Sequence, residues 1–68
     1  MAILQIRIGD DITSYQYNSL SEAQMEMKKL FTSLSNGAKR FDDNVYTVIT
    51  DKVAFIISRY SKTIISIY

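Results

Sequence analysis

Cysteine, histidine, tryptophan and proline are all absent from this 68-residue chain, and glycine occurs only twice. Without cysteine there are no disulfides, iron–sulfur clusters or thiolate zinc sites. Without histidine the imidazole ligands go too, so a structural zinc staple is excluded. The missing histidine also removes the commonest general base, and with it the Ser–His and Cys–His nucleophile pairs. Gly9 and Gly37 stand too far apart to build a phosphate-cradling loop, which rules out the Walker and Rossmann patterns. An excess of either charge is also missing, since eight Lys plus Arg against seven Asp plus Glu leave a formal +1. That balance argues against a polyanion binder working by bulk electrostatics, and equally against an acidic DNA mimic. No apolar run approaches the roughly 20 residues of a membrane span. Gln5 and Arg7 interrupt the apolar start and no basic leader precedes it, unlike a secretory signal. The expected setting is cytoplasmic, with no membrane partner, no metal and no cofactor.

What is present reads as one folded domain over residues 1–68. The chain is 47% hydrophobic and 22% charged, well inside the globular range. Below about 70–80 residues a single core rarely supplies more than roughly 3–5 kcal/mol, and the usual staples are absent here. Either the packing is unusually good or a second chain completes the core.

Leu4, Ile6 and Ile8 alternate with Gln5 and Arg7, the period of a half-buried strand. Gly9-Asp10-Asp11 supplies a turn, and Ile12–Tyr17 a second strand with Thr13, Tyr15 and Tyr17 on one face. Ser19 and Glu22 have capping-box spacing at the head of a helix over 19–36. Its apolar stripe is Leu20, Ala23, Met27, Leu30, Phe31 and Leu34, and Asn36-Gly37 is expected to end it as a left-handed cap. Residues 38–44 then form a polar connection. From Val45 onward β-branched and aromatic residues dominate, broken at Asp51-Lys52 and Ser61-Lys62, each the length of a two-residue hairpin loop. The expected fold is α+β: a single small domain in ββαβββ order, an antiparallel sheet with one amphipathic helix packed on one face.

Register follows from those loops. Thr50 should face Val53, with Val48 opposite Phe55 and Tyr46 opposite Ile57. In the next hairpin Tyr60 should face Thr63, and Ile56 should face Ile67. One face then carries Tyr46, Val48, Val53, Phe55, Ile57, Ile64 and Tyr68, and the other Val45, Ile49, Ala54, Ile56, Tyr60, Ile65 and Ile67. Both are apolar, whereas an antiparallel sheet with one solvated face alternates cleanly. One helix covers one face, leaving an apolar patch on the order of several hundred Å², more than soluble monomers usually expose. Face-on or edge-on pairing with another copy, or docking of another protein, would cover it; a slipped register, or the N-terminal hairpin folding over that face, would remove it.

No constellation supports catalysis. Asp10-Asp11, Asp42-Asp43 and Asp51 all fall at expected turns, where aspartate caps the local backbone, and no EF-hand spacing accompanies them. Leu30 and Phe55 are expected to fill volume between helix and sheet. The first functional reading is therefore a non-catalytic protein-interaction module: a homo-oligomer such as a homodimer, or an inhibitor or adaptor of a larger protein. Its contact residues would be Tyr46, Tyr60, Ile65, Ile67 and Tyr68, since tyrosine is enriched in interface hot spots. A nucleic-acid binder is the alternative, combining sheet tyrosines with Lys28, Lys39, Arg40 and Phe41. A structural assembly subunit pairing strand edges between copies is the third. The Ile-, Ser-, Tyr- and Lys-rich composition suits a low-GC bacterium, or a phage or plasmid of one.

Overall fold

Alternation in the first eight residues produces a hairpin. In the computed structural model, which describes residues 1–68, β1 (Ala2–Ile8) pairs antiparallel with β2 (Asp11–Tyr17) in unbroken register from Ala2↔Tyr17 to Ile8↔Asp11. The two-residue turn between them is Gly9-Asp10. Gly9 has φ +61°, the one positive φ in the chain, and a side chain there would cost about 1–2 kcal/mol.

The helix α1 (Leu20–Phe41) starts where its cap predicts. The Glu22 backbone N–H donates to Ser19 Oγ at 3.2 Å. It does not stop at Asn36-Gly37, and this corrects the expected boundary. Gly37 is helical, and the chain continues through Ala38, Lys39, Arg40 and Phe41 to a cap at Asp42, whose N–H donates to Ala38 O at 3.1 Å. Lys39 and Arg40 in the last turn favour that extension, because cations complement the negative end of the helix dipole. Most of the expected 38–44 connection is thus helix.

Beyond it, β3 (Tyr46–Ile49), β4 (Val53–Ile57) and β5 (Lys62–Ile67) complete a five-stranded antiparallel sheet in the order β2-β1-β5-β4-β3. The β3–β4 register agrees with the sequence reading, with Val48 opposite Phe55 and Tyr46 opposite Ile57. The β4–β5 register does not. Ile56 pairs with Thr63 and Ala54 with Ile65, because the turn is Arg59-Tyr60, two residues earlier than Ser61-Lys62. Ser58 is the reason. Its hydroxyl accepts the N–H groups of Ser61 at 3.0 Å and Tyr60 at 3.3 Å, while Ser58 N–H donates to Ser61 O at 2.9 Å. Thr50 plays the same part in the β3–β4 turn, accepting from Val53 N–H at 3.1 Å and Lys52 N–H at 3.4 Å. Neither turn uses a left-handed residue; the hydroxyl takes the amide instead. A shift of two residues on each strand moves no side chain to the other face, so face membership survives the correction.

α1 lies on one face only. Beneath it Ala2, Leu4 and Ile6 of β1, Ala54 of β4, and Ile65 and Ile67 of β5 form the core with Ala23 and Met27 of the helix. Leu30, Phe31, Leu34 and Tyr17 pack against this cluster. Leu20, at the head of the expected stripe, stays exposed in the first turn. Phe55 was expected in this layer and is not there. It pairs with Val48 and Ile64 on the opposite face.

Candidate interaction surface

The strand residues that alternate away from α1 make a second apolar layer with no cover. β1 contributes Ile3, β5 Ile64, β4 Val53, Phe55 and Ile57, and β3 Val48, with Ile12 at the β2 edge. All of them are half-buried or exposed. The N-terminal hairpin does not fold over this face, since β1 and β2 extend the same sheet.

Tyr46 and Tyr68, two of the expected contact residues, stand on the open face. Tyr46 starts β3 opposite Ile57. Tyr68 continues the β5 ladder by exchanging both backbone bonds with Ile3, at 3.1 and 2.8 Å, and its hydroxyl donates to Gln5 Oε1 at 3.2 Å. That bond tethers the hydroxyl to β1, while the ring stays 71% exposed. The other three expected contacts lie elsewhere. Ile65 and Ile67 are 0% and 5% exposed beneath α1, so they are core and cannot meet a partner. Tyr60 is in the β4–β5 turn rather than a strand, 72% exposed, and shares a shallow depression with Phe41 and Ala38 of the helix. Ile64, Phe55, Ile3 and Val48 are the residues the sequence reading passed over as contacts. Period-2 alternation had already grouped three of them; what it lacked was the side the helix takes.

The basic residues do not join the tyrosines. Lys28, Lys39, Arg40 and Phe41 are all on α1, in the other layer from Tyr46 and Tyr68. The strand cations on the open face are Arg7 and Lys62, which line a depression at the turn end with Ile64, Gly9 and Asp10. No carboxylate is carried by the outward-facing strand positions, and Asp10 makes no ion pair with either cation; the single ion pair is Lys29–Glu26 at 3.7 Å.

Asp42 ties the two ends of the helix layer's lower rim together. Its Oδ2 accepts the Arg59 N–H at 2.8 Å and its Oδ1 the Asn44 N–H at 3.0 Å, so the helix cap holds the turn that carries Tyr60. These two N–H groups, with the nearby Arg59 charge, hold its carboxyl below the usual aspartate range against the opposing effect of burial. Tyr17 is displaced upward, chiefly by burial against the core and further by Glu26 and Tyr15. No group of three or more carboxylates is placed to hold a metal ion. No helix is long and apolar enough to cross a membrane. Comparison with protein-family models, with curated proteins and with solved structures finds no match to this chain.

Proposed function

We propose that this chain is a small non-catalytic protein-interaction module, an inhibitor or adaptor that docks a larger cytoplasmic protein on the sheet face left open by α1. The observation that carries it is the uncovered apolar layer centred on Ile64 and Phe55, flanked by Ile3, Val48 and Val53. Buried aromatic anchors dominate such contacts, and Tyr46 and Tyr68 are placed at its rim to serve as them. Arg7 and Lys62 without an outward carboxylate make the complementary surface apolar, with acidic groups at one end. A protein without metal ligands or an activated nucleophile acts here by occupying a surface.

Affinity capture from the native host with four baits tests this. The wild type and a Lys39→Glu/Arg40→Glu variant should retain the same stoichiometric protein. Tyr68→Ala and an Arg7→Glu/Lys62→Glu variant should lose it, with unchanged circular dichroism. Equal recovery on all four baits would remove the open face from the interaction.

A second reading rests on one arrangement: Tyr46, Phe55 and Tyr68 share the open face with Arg7 and Lys62, as stacking rings and phosphate-neutralising cations do on a single-stranded nucleic-acid platform. It predicts binding of a single-stranded oligonucleotide that weakens steeply with salt and is lost on reversal at Arg7 and Lys62.

A further inference from the structure

The sheet has two edges, and they are built differently. β3 is four residues long and flanked by Asp43-Asn44 and Asp51-Lys52, blunted by shortness and charge. β2 is seven residues long, pairs with β1 without a bulge, and leaves every residue exposed except half-buried Tyr17. From Ile12 to Tyr17 it has no charge and no proline, the devices that normally keep an edge strand single.

Its backbone polarity follows from the turn. A two-residue turn makes Ile8↔Asp11 a hydrogen-bonded pair, so alternation directs the N–H and C=O groups of Thr13, Tyr15 and Tyr17 to β1. Those of Ile12, Ser14 and Gln16 point outward, away from the sheet. The other side of β1 agrees: Ile3 exchanges bonds with Tyr68 and Gly9 N–H donates to Lys62 O, so odd-numbered groups of that stretch face β5 and even-numbered ones face β2.

We infer that β2 pairs antiparallel with β2 of a second copy of this chain, across a two-fold axis at Ser14, joining two five-stranded sheets into one. Ser14 then faces Ser14 and Ile12 faces Gln16 on the open side, while Thr13 faces Tyr15 and Asp11 faces Tyr17 on the helix side. The register satisfies the outward groups with about six backbone hydrogen bonds. It opposes no like charges, and it sets tyrosine against threonine, a favourable aromatic–β-branched pair. It also closes. The edges that remain are two copies of short, charge-flanked β3, so the pair does not propagate.

Area points the same way. Five strands about 4.8 Å apart, each presenting about five residues at roughly 3.3 Å, give the open face a footprint of about 400 Å². A standard protein interface uses about 800 Å² per partner. Two edge-joined sheets present that area on one continuous surface. The edge pairing itself stands independently of the docking reading.

Ser14→Cys provides the test, because the chain contains no other cysteine. Opposed Cα atoms in a hydrogen-bonded antiparallel pair lie about 5.5 Å apart, inside the roughly 4.4–6.8 Å range of disulfides. Mild oxidation should therefore give a covalent dimer with Ser14→Cys and at least tenfold less with Gln16→Cys, whose opposite residue is Ile12. Ser14→Pro removes an outward N–H while leaving the β1 ladder its bonds, and should halve the mass seen by light scattering. Ser14→Lys, which opposes like charges at the axis, should do the same should the proline variant fail to fold. Ile64→Lys, on the open face, should leave the dimer intact. A wild-type mass near 7.8 kDa at high concentration would overturn the inference. So would equal crosslinking at positions 14 and 16, or a dimer dissolved by Ile64→Lys and not by the Ser14 variants.

Discussion

Replacing Ile65 by alanine should destabilise the fold far more than the same replacement at its neighbour Ile64. Ile65 has no exposed surface and sits between Ile6 of β1 and Ala54 of β4, in the layer under α1. Large-to-small changes at such sites cost about 2–5 kcal/mol, from lost burial plus the cavity left behind. At about 0.05–0.15 kcal/mol per residue, a domain of this length has roughly 3–10 kcal/mol in total, so this one change removes a large share of it. With about 4–8 °C per kcal/mol in a small domain, Tm should fall by upwards of about 10 °C. Ile64 pairs with Arg7 and Phe55 on the open face and is only half-buried, so truncation forfeits part of its transfer energy, about 1 kcal/mol. Ile65→Val, losing one methylene, should cost about 0.5–1.5 kcal/mol, well below Ile65→Ala. Urea melts of the three variants, each at a low and a high protein concentration, measure the contrast. If Ile64→Ala costs as much as Ile65→Ala at both concentrations, the helix does not lie on the face assigned to it.

Asp42→Asn should lower stability near neutral pH and flatten its acid limb. The carboxyl is held below its unfolded value by backbone N–H donors, so its contribution is full above about pH 4 and disappears as pH falls through the depressed folded value. The variant should lose less stability than the wild type in that window, read from urea midpoints between about pH 2 and 7. Gly9→Ala and Gly37→Ala should differ in sign: φ +61° makes the first unfavourable by about 1–2 kcal/mol. Gly37 is helical with open space around an added Cβ, so alanine should stabilise by about 0.5–1 kcal/mol. Thermal melts that shift the same way for both would refute this. Ser19→Ala should cost about 1 kcal/mol by freeing the Glu22 N–H, and a midpoint unchanged within error would show the cap to be idle.

Much of this architecture is legible in local chemistry. Leu4 and Ile6 state the inward face of β1, Gly9 the one left-handed turn, Ser19 the helix start, and Thr50 with Val53 the β3–β4 register. The misreadings share a cause, which is that distant partners decided them. Gly37 stops a helix only when nothing beyond it rewards continuation; Lys39, Arg40 and the Asp42 bond to Arg59 do so here. Either β4–β5 turn gives the same two faces, so the hydrophobic pattern could not distinguish them, and the Ser58 hydroxyl did. Which face the helix covers was silent for the same reason, both being apolar. Ile65 and Ile67 were therefore placed on a contact surface when they belong to the core, and Ile64 was overlooked.

The position of β5 governs how this sheet can come together at all. It is the one strand bonded to both hairpins, β1–β2 on one side and β3–β4 on the other. Before it arrives the chain holds two separate two-stranded pieces, each marginal in water. Closing the sheet also joins residues as far apart as Gln5 and Tyr68, 63 positions distant, and such long-range closure slows folding. Assembly is thus gated by β5, which slides into a slot with two open edges. A fragment covering residues 1–61 should stay loosely ordered, and a separate peptide of residues 62–68 should restore the native far-ultraviolet spectrum by filling the slot. A native far-ultraviolet spectrum for the 1–61 fragment alone would show that the hairpins meet without it.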